Sequence, residues 1–189
     1  VVTFAILNED YNGFLNIVDA THLKRNLHLT IQLLEAGVPM TIAMNMMDAL
    51  NRKGLQLNVE KLQALIGVPI SLISARKNQG MDDLISVLPT SSSKVAFNLY
   101  YGVEVESAIS KISALLDSTP THLDSRWIAI QILEGNEGIF SHLSLSHADE
   151  IRQVVAKTEQ IIIEKEIALS LKGAIFNKRR EFIYKVYQE

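Results

Sequence analysis

The 189-residue sequence contains no cysteine. That excludes disulfides, thiolate catalysis and thiolate metal sites within the chain, and it fits a reducing compartment. No apolar run reaches the ~18 residues that span a bilayer. The N-terminus has no positive segment followed by an apolar one, so no signal peptide is read there. A basic excess is also lacking, since the formal net charge is −3. Without surplus cations to neutralise phosphates, no general nucleic-acid binding is expected. None of the nine glycines is followed by Lys-Ser or Lys-Thr. The run G-x-x-x-x-G-K-S/T, whose backbone N–H groups cradle phosphates, is therefore missing. His142 and His147 do not have the i, i+4 spacing of a helical zinc pair. No iron or zinc site is expected.

What is present describes an ordinary folded protein of one or two domains: 48% apolar and 21% charged residues. The opening VVTFAIL, without an initiating methionine, reads like the inside of a domain and suggests a fragment. The first half alternates short apolar runs with amphipathic stretches. Strands are expected at Phe14–Val18, Pro39–Met44 and Val68–Ser74. Between them, leucines and an isoleucine at 23, 27, 31 and 34 recur at helical spacing toward Gly37. A second helix runs from an Asn58 cap to Gly67, and a third begins at Met81 and ends at Pro89. Such alternation means a parallel sheet with right-handed crossovers. Ligands of such sheets sit beyond the C-terminal strand ends. Asp19, Asn45 and Ser74 are expected there together. The small, polar run Pro89–Lys94 reads as a linker. Beyond it the pattern is all-helical, with a long tract from Ser146 that breaks near Gly173. Ser146 and Asp149 resemble a capping box.

The apolar run Met40–Met44 stops at Asn45, and Asp48 follows three positions later. A guanine edge presents N1–H and a 2-amino group side by side, and an ionised carboxylate accepts both. Adenine lacks that donor pair, so a buried site built for the bond rejects it strongly. Asn45 would hold neighbouring loops and meet the purine N7. Ser74-Ala75, just past the next strand, supplies a hydroxyl for Asp48 and an N–H for guanine O6. The alternative for Asp48 is a cap on the helix ALNRKG. Asp10-Tyr11-Asn12-Gly13 spells the D-x-x-G of a magnesium-linked motif. It is read as a turn, because a strand follows its glycine immediately.

These residues carry a resemblance. NIVDATHLKRNLHLTIQLLEAGVPMTIAMNMMD, LISARKNQGMDDL and SRWIAIQILEGNE closely resemble the cytosolic G domain and helical domain of the ferrous iron transport protein B (FeoB) family. The resemblance covers Asn16 to Gly138 well and is looser from Ser141 onward. It implies an α/β fold: the C-terminal part of a P-loop GTPase (Ras-like) parallel-sheet domain at 1–89, followed by an all-α helical regulatory domain at 94–189. It makes Asn45, Met46 and Asp48 part of the fourth guanine motif and Ser74, Ala75 and Arg76 the fifth. It implies GTP or GDP as ligand, with Mg²⁺ bound in the parent by residues outside this chain. It also implies GTP hydrolysis that gates Fe²⁺ uptake, a membrane-embedded transport part of the same parent as partner, and placement as a cytoplasmic domain of an inner or plasma membrane protein. The helical half would tune GDP release, and a homo-oligomer stays open. Lacking the phosphate loop, these residues alone are not expected to hydrolyse GTP.

Other residues read more plainly. Asp19 is expected to cap the following helix, Arg76 and Lys77 to be exposed loop cations, and Trp127 to anchor the helical core. The basic cluster Lys172, Lys178, Arg179, Arg180 and Lys185 reads as a solvated face. The rival to the nucleotide reading is a non-enzymatic α/β plus helical interaction module; a third reading is the G domain of another GTPase. In many GTPases a lysine stands where Met46 does. A thioether covers a base with fewer fixed contacts, which implies fast GDP release. Met46→Lys in the full-length protein is expected to slow GDP dissociation, read by stopped flow.

Overall fold

The computed structural model describes residues 6, 13–88, 96–116, 123–143 and 147–188. The chain divides into two compact units: Glu9–Asn98 with Glu181–Glu189, and Val1–Asn8 with Leu99–Arg180. The expected linker Pro89–Lys94, the turn at Asp10–Asn12 and the capping residue Ser146 lie outside the described residues.

The first unit is a three-stranded parallel sheet in the order β1 (Phe14–Asp19), β2 (Met40–Asn45), β3 (Ile70–Leu72). Helix α1 (Leu23–Glu35) connects the first two strands, and α2 (Met47–Arg52) with α3 (Val59–Ile66) connects the next two; α4 (Met81–Ser86) follows. The central strand β2 is apolar along its length and buried on both faces, as parallel strands are. Strand β1 is buried on one face only. Asn16 and Val18 are buried there, and Asn16 Nδ2 donates to Thr30 Oγ1 on α1 at 2.8 Å. Ile17 on the opposite face is 61% exposed. The other face of β2 is covered by α4: Leu84 packs on Ala43 and Ile73, with Met81 and Leu88 around them. The β3 ladder is shorter than the expected Val68–Ser74. Its pairing continues outside the strand through Ile42 N to Pro69 O and Ile73 N to Met44 O, both 2.9 Å. Asn58 caps α3 by accepting from Lys61 N at 3.0 Å, and Gly67 ends it in the left-handed region. The last turns of the final helix also belong here, with Phe182 edge-on to Phe97 at 5.5 Å and Lys24 Nζ over Tyr187 at 3.9 Å.

The second unit is helical: α5 (Val103–Leu116), α6 (Ser125–Leu133), α7 (Gly138–Leu143), α8 (Ala148–Glu164) and the first part of α9 (Leu171–Gln188). Helix α6 is apolar all round because it is surrounded: every residue from Trp127 to Leu133 is buried. Asp124 caps it through Trp127 N at 3.1 Å. The long terminal tract breaks after Glu164, not at Gly173. Glu166 takes φ 53° there, and Gly173 stands in the first turn of α9, its N–H on Ser170 Oγ at 3.0 Å.

The basic cluster is not wholly a solvated face. Arg179 is 2% exposed. Its guanidinium donates to Glu134 Oε1 at 2.6 Å and Oε2 at 2.8 Å, and Nε donates to Tyr101 Oη at 3.2 Å. A planar fork matched to a carboxylate explains why arginine is tolerated inside. Removing the arginine leaves a largely sheltered carboxylate without its charge partner. Arg179→Ala is expected to destabilise this unit by about 3–5 kcal/mol, measured by denaturant unfolding followed through the fluorescence of Trp127, the only tryptophan.

Candidate functional site

The parallel register sets Asp19 directly beside Asn45 at the C-terminal sheet edge. Asp19 Oδ1 accepts from Thr21 N at 2.8 Å and Oγ1 at 2.7 Å, and Oδ2 meets His22 Nδ1 at 2.9 Å. Its carboxyl lies below the usual range: burial pushes it up, but His22 and Thr21 outweigh that. It caps the short 3₁₀ turn Ala20–His22, as its position before a helix leads one to expect.

Asn45 does the joining. Its Oδ1 accepts from Met46 N at 2.8 Å and from Ala75 N at 3.1 Å, so one amide oxygen ties the loop after β2 to the loop after β3. Met47 N to Ile73 O at 3.3 Å adds a second tie. Met46 turns the chain in the left-handed region, φ 67°, and exposes its side chain between strand and helix. Non-glycine residues rarely adopt that conformation, and they do so where the surroundings hold them. The loop after β3 is closed on itself, with Ser74 N to Gln79 O at 3.1 Å and Gln79 N to Ser74 O at 3.2 Å. Gly80 completes it. Its φ is +74°, and a Cβ there would collide with the Leu72 carbonyl oxygen.

Asp48 does not cap α2. It stands in the first turn, while Met46 holds the cap position without a side-chain bond. The Asp48 side chain is only 6% exposed, and its Oδ2 accepts from Arg52 Nη1 at 3.1 Å. Its carboxyl is held below the ordinary value: the Ser74 hydroxyl lowers it most, burial opposes that, and the charges of Arg52 and Lys77 lower it further. Ser74 is 3% exposed. Its Oγ lies near enough to influence Asp48 yet outside strict hydrogen-bond geometry, so it has no close partner. A cleft of about 420 Å³ opens here, lined by Asp48, Asn51, Arg52, Ser74, Lys77 and Gln79 among others.

The structure thus brings Asn45, Met46, Asp48, Ser74 and Ala75 to one edge, with Arg76 exposed in the 3₁₀ turn Ala75–Lys77. One detail differs from expectation. The Ala75 N–H, assigned to guanine O6, donates instead to Asn45. The sequence reading missed Arg52, although Asp and Arg four apart on a helix is itself a pairing signal. Among the described residues, no group of three or more His, Asp or Glu could hold a metal ion.

Comparison with known proteins places the chain in a family. The family model described as ferrous iron transport protein B matches residues 1–88, and the one described as the FeoB cytosolic helical domain matches 101–189. An NFeoB mutant from S. thermophilus bound to GMPPNP superposes with a TM-score of 0.87 at 34% identity, over 100% of this chain and 74% of that one. The chain belongs to the FeoB family. Its sheet is the C-terminal part of a P-loop GTPase G domain, followed by the family's helical domain. NFeoB from S. thermophilus bound to GDP.AlF4- and K+ is similar with a TM-score of 0.86. The Fe(2+) transporter FeoB of Staphylococcus aureus (strain COL) is 30% identical over 193 residues, covering 100% of this chain and 28% of the transporter. The Fe(2+) transport protein A/FeoB fusion protein of Porphyromonas gingivalis is 34% identical over 131 residues, covering 65% of this chain and 16% of the fusion. The chain thus spans under a third of these curated relatives. No helix among its described residues is long and apolar enough to cross a membrane.

Asn45→Ala deprives two backbone N–H groups of their acceptor while leaving β2 intact. Amide hydrogen exchange at Met46 and Ala75 is expected to accelerate by roughly 10-fold, the scale of one lost hydrogen bond.

Proposed function

We propose that this chain reads the guanine base for a GTP-binding domain whose phosphate chemistry lies in residues outside these 189. In this reading 1–89 are part of the G domain and 94–189 are a helical regulatory domain. The carrying observation is Asp48, a shielded carboxylate held below its usual pKa beside an unpartnered, buried Ser74 hydroxyl. An ionised carboxylate there accepts guanine N1–H and the 2-amino group together. Adenine would leave the lone pairs not taken by Arg52 unfilled in a shielded site, which is costly.

Each neighbour has a part in that recognition. Asn45 fixes the loops. The exposed Met46 thioether covers one face of the base. Ser74 steadies Asp48, and Arg76 lies at the rim. The Ala75 N–H reaches O6 by sharing with Asn45 Oδ1 or by releasing it. The relatives named above are nucleotide-bound NFeoB structures and Fe(2+) transporters. By that kinship the parent is a GTPase whose hydrolysis gates Fe²⁺ uptake. This chain would then be its cytoplasmic portion at an inner or plasma membrane, coupled to the membrane-embedded part. The 189 residues alone lack the phosphate-cradling run and are not hydrolytically competent by this reading.

In the full-length protein, Asp48→Asn is expected to weaken GDP binding by roughly 10- to 100-fold, the worth of a charge-assisted pair. Xanthosine diphosphate, with a carbonyl where guanine has its amino group, should bind the variant better than the wild type. Unchanged preference between the two nucleotides in equilibrium titration would return Asp48 to a structural role.

A further inference from the structure

Arg52 sits four residues after Asp48 on α2, and its Nη1 donates to Asp48 Oδ2 at 3.1 Å. The arginine side chain is 62% exposed, while the aspartate it touches is shielded. A surface arginine paired with an equally exposed carboxylate does little. Here one partner is sheltered, and it is the proposed base reader. A carboxylate has about four lone-pair sites. Guanine N1–H and the 2-amino group need one on each oxygen. The buried Ser74 hydroxyl, which has no other close partner, can fill a third. Arg52 already fills the fourth, on Oδ2. Donors and acceptors then balance.

We propose that Arg52 is a positioning residue for base recognition, holding Asp48 Oδ2 from α2 so that the lone pairs left over face guanine N1–H and its 2-amino group. This rests on the reading that Asp48 meets the base. The charged and polar groups facing Asp48 among the described residues are Arg52 on its own helix and Lys77 and Ser74 in the loop after β3. Each favours the ionised carboxylate. Removing Arg52 raises the Asp48 pKa, so the loss of binding on acidification begins at higher pH.

The experiment is equilibrium binding of GDP, IDP and ADP to the full-length protein at neutral pH, for wild type, Arg52→Ala and Arg52→Lys. IDP keeps N1–H but lacks the 2-amino group. Arg52→Ala is expected to weaken GDP by about 3- to 10-fold and IDP by less, so the GDP-over-IDP ratio falls. Arg52→Lys should restore much of both the affinity and the ratio. Equal weakening of GDP and IDP would overturn the proposal, since a merely structural role does that. A wild type that prefers GDP to ADP, together with an Arg52→Ala ratio that stays put, overturns this inference alone. A wild type without guanine preference overturns the base reading and this inference with it.

Discussion

The candidate site depends on one amide oxygen. Asn45 Oδ1 accepts from the backbone of its own loop and from Ala75, thirty residues on. Parallel strands place their C-terminal loops side by side without bonding them, because the ladder ends where the loops begin. Some other group must fix the distance between loops. A carbonyl with two lone pairs at the last residue of the central strand can do so. Alanine has no acceptor there, and a charged aspartate would repel Asp48 in the next turn. The amide has the reach and acceptor capacity without the charge.

Around that oxygen the backbone turns sharply. Met46, Asn78 and Gly80 all take positive φ within the two loops. Their surroundings are strongly bonded: Met46 O accepts from Ala49 and Leu50, Ser74 pairs with Gln79, and Gly80 crowds Leu72. Local strain persists where tertiary bonding over-determines it. The result is a short, stiff edge that presents Asp48 in the first turn of α2.

Much of this edge is legible in the amino-acid sequence. Strand ends in an alternating α/β pattern share an edge, so Asn45, Asp19 and Ser74 group together from spacing alone. Asn58 and Gly67 declare their helix ends through side-chain chemistry. Other features are hidden for physical reasons. Arg52 and Arg179 are both cations on helices, and periodicity cannot say that one reaches a sheltered aspartate and the other is itself buried against a glutamate. Gly173 misleads because glycine reads as a breaker, whereas the turn is made by Glu166 in the left-handed region and Gly173 fits the first helical turn beneath Ser170. The third strand reads as longer because Val68 and Ile73 are apolar and buried, although the ladder itself spans only Ile70–Leu72.

The Ala75 N–H stands in the loop after β3. With only water as a partner it would leave that loop free to move. Here it has an internal acceptor in Asn45. An incoming O6 then competes with a bond already made, so the net gain from that contact is smaller than the bond itself. The Asp48 carboxylate is different, because beside its bond from Arg52 it keeps lone pairs that no other described residue fills. On the proposed base reading, discrimination therefore falls on Asp48, while Ala75 and Asn45 keep the loop in place for it.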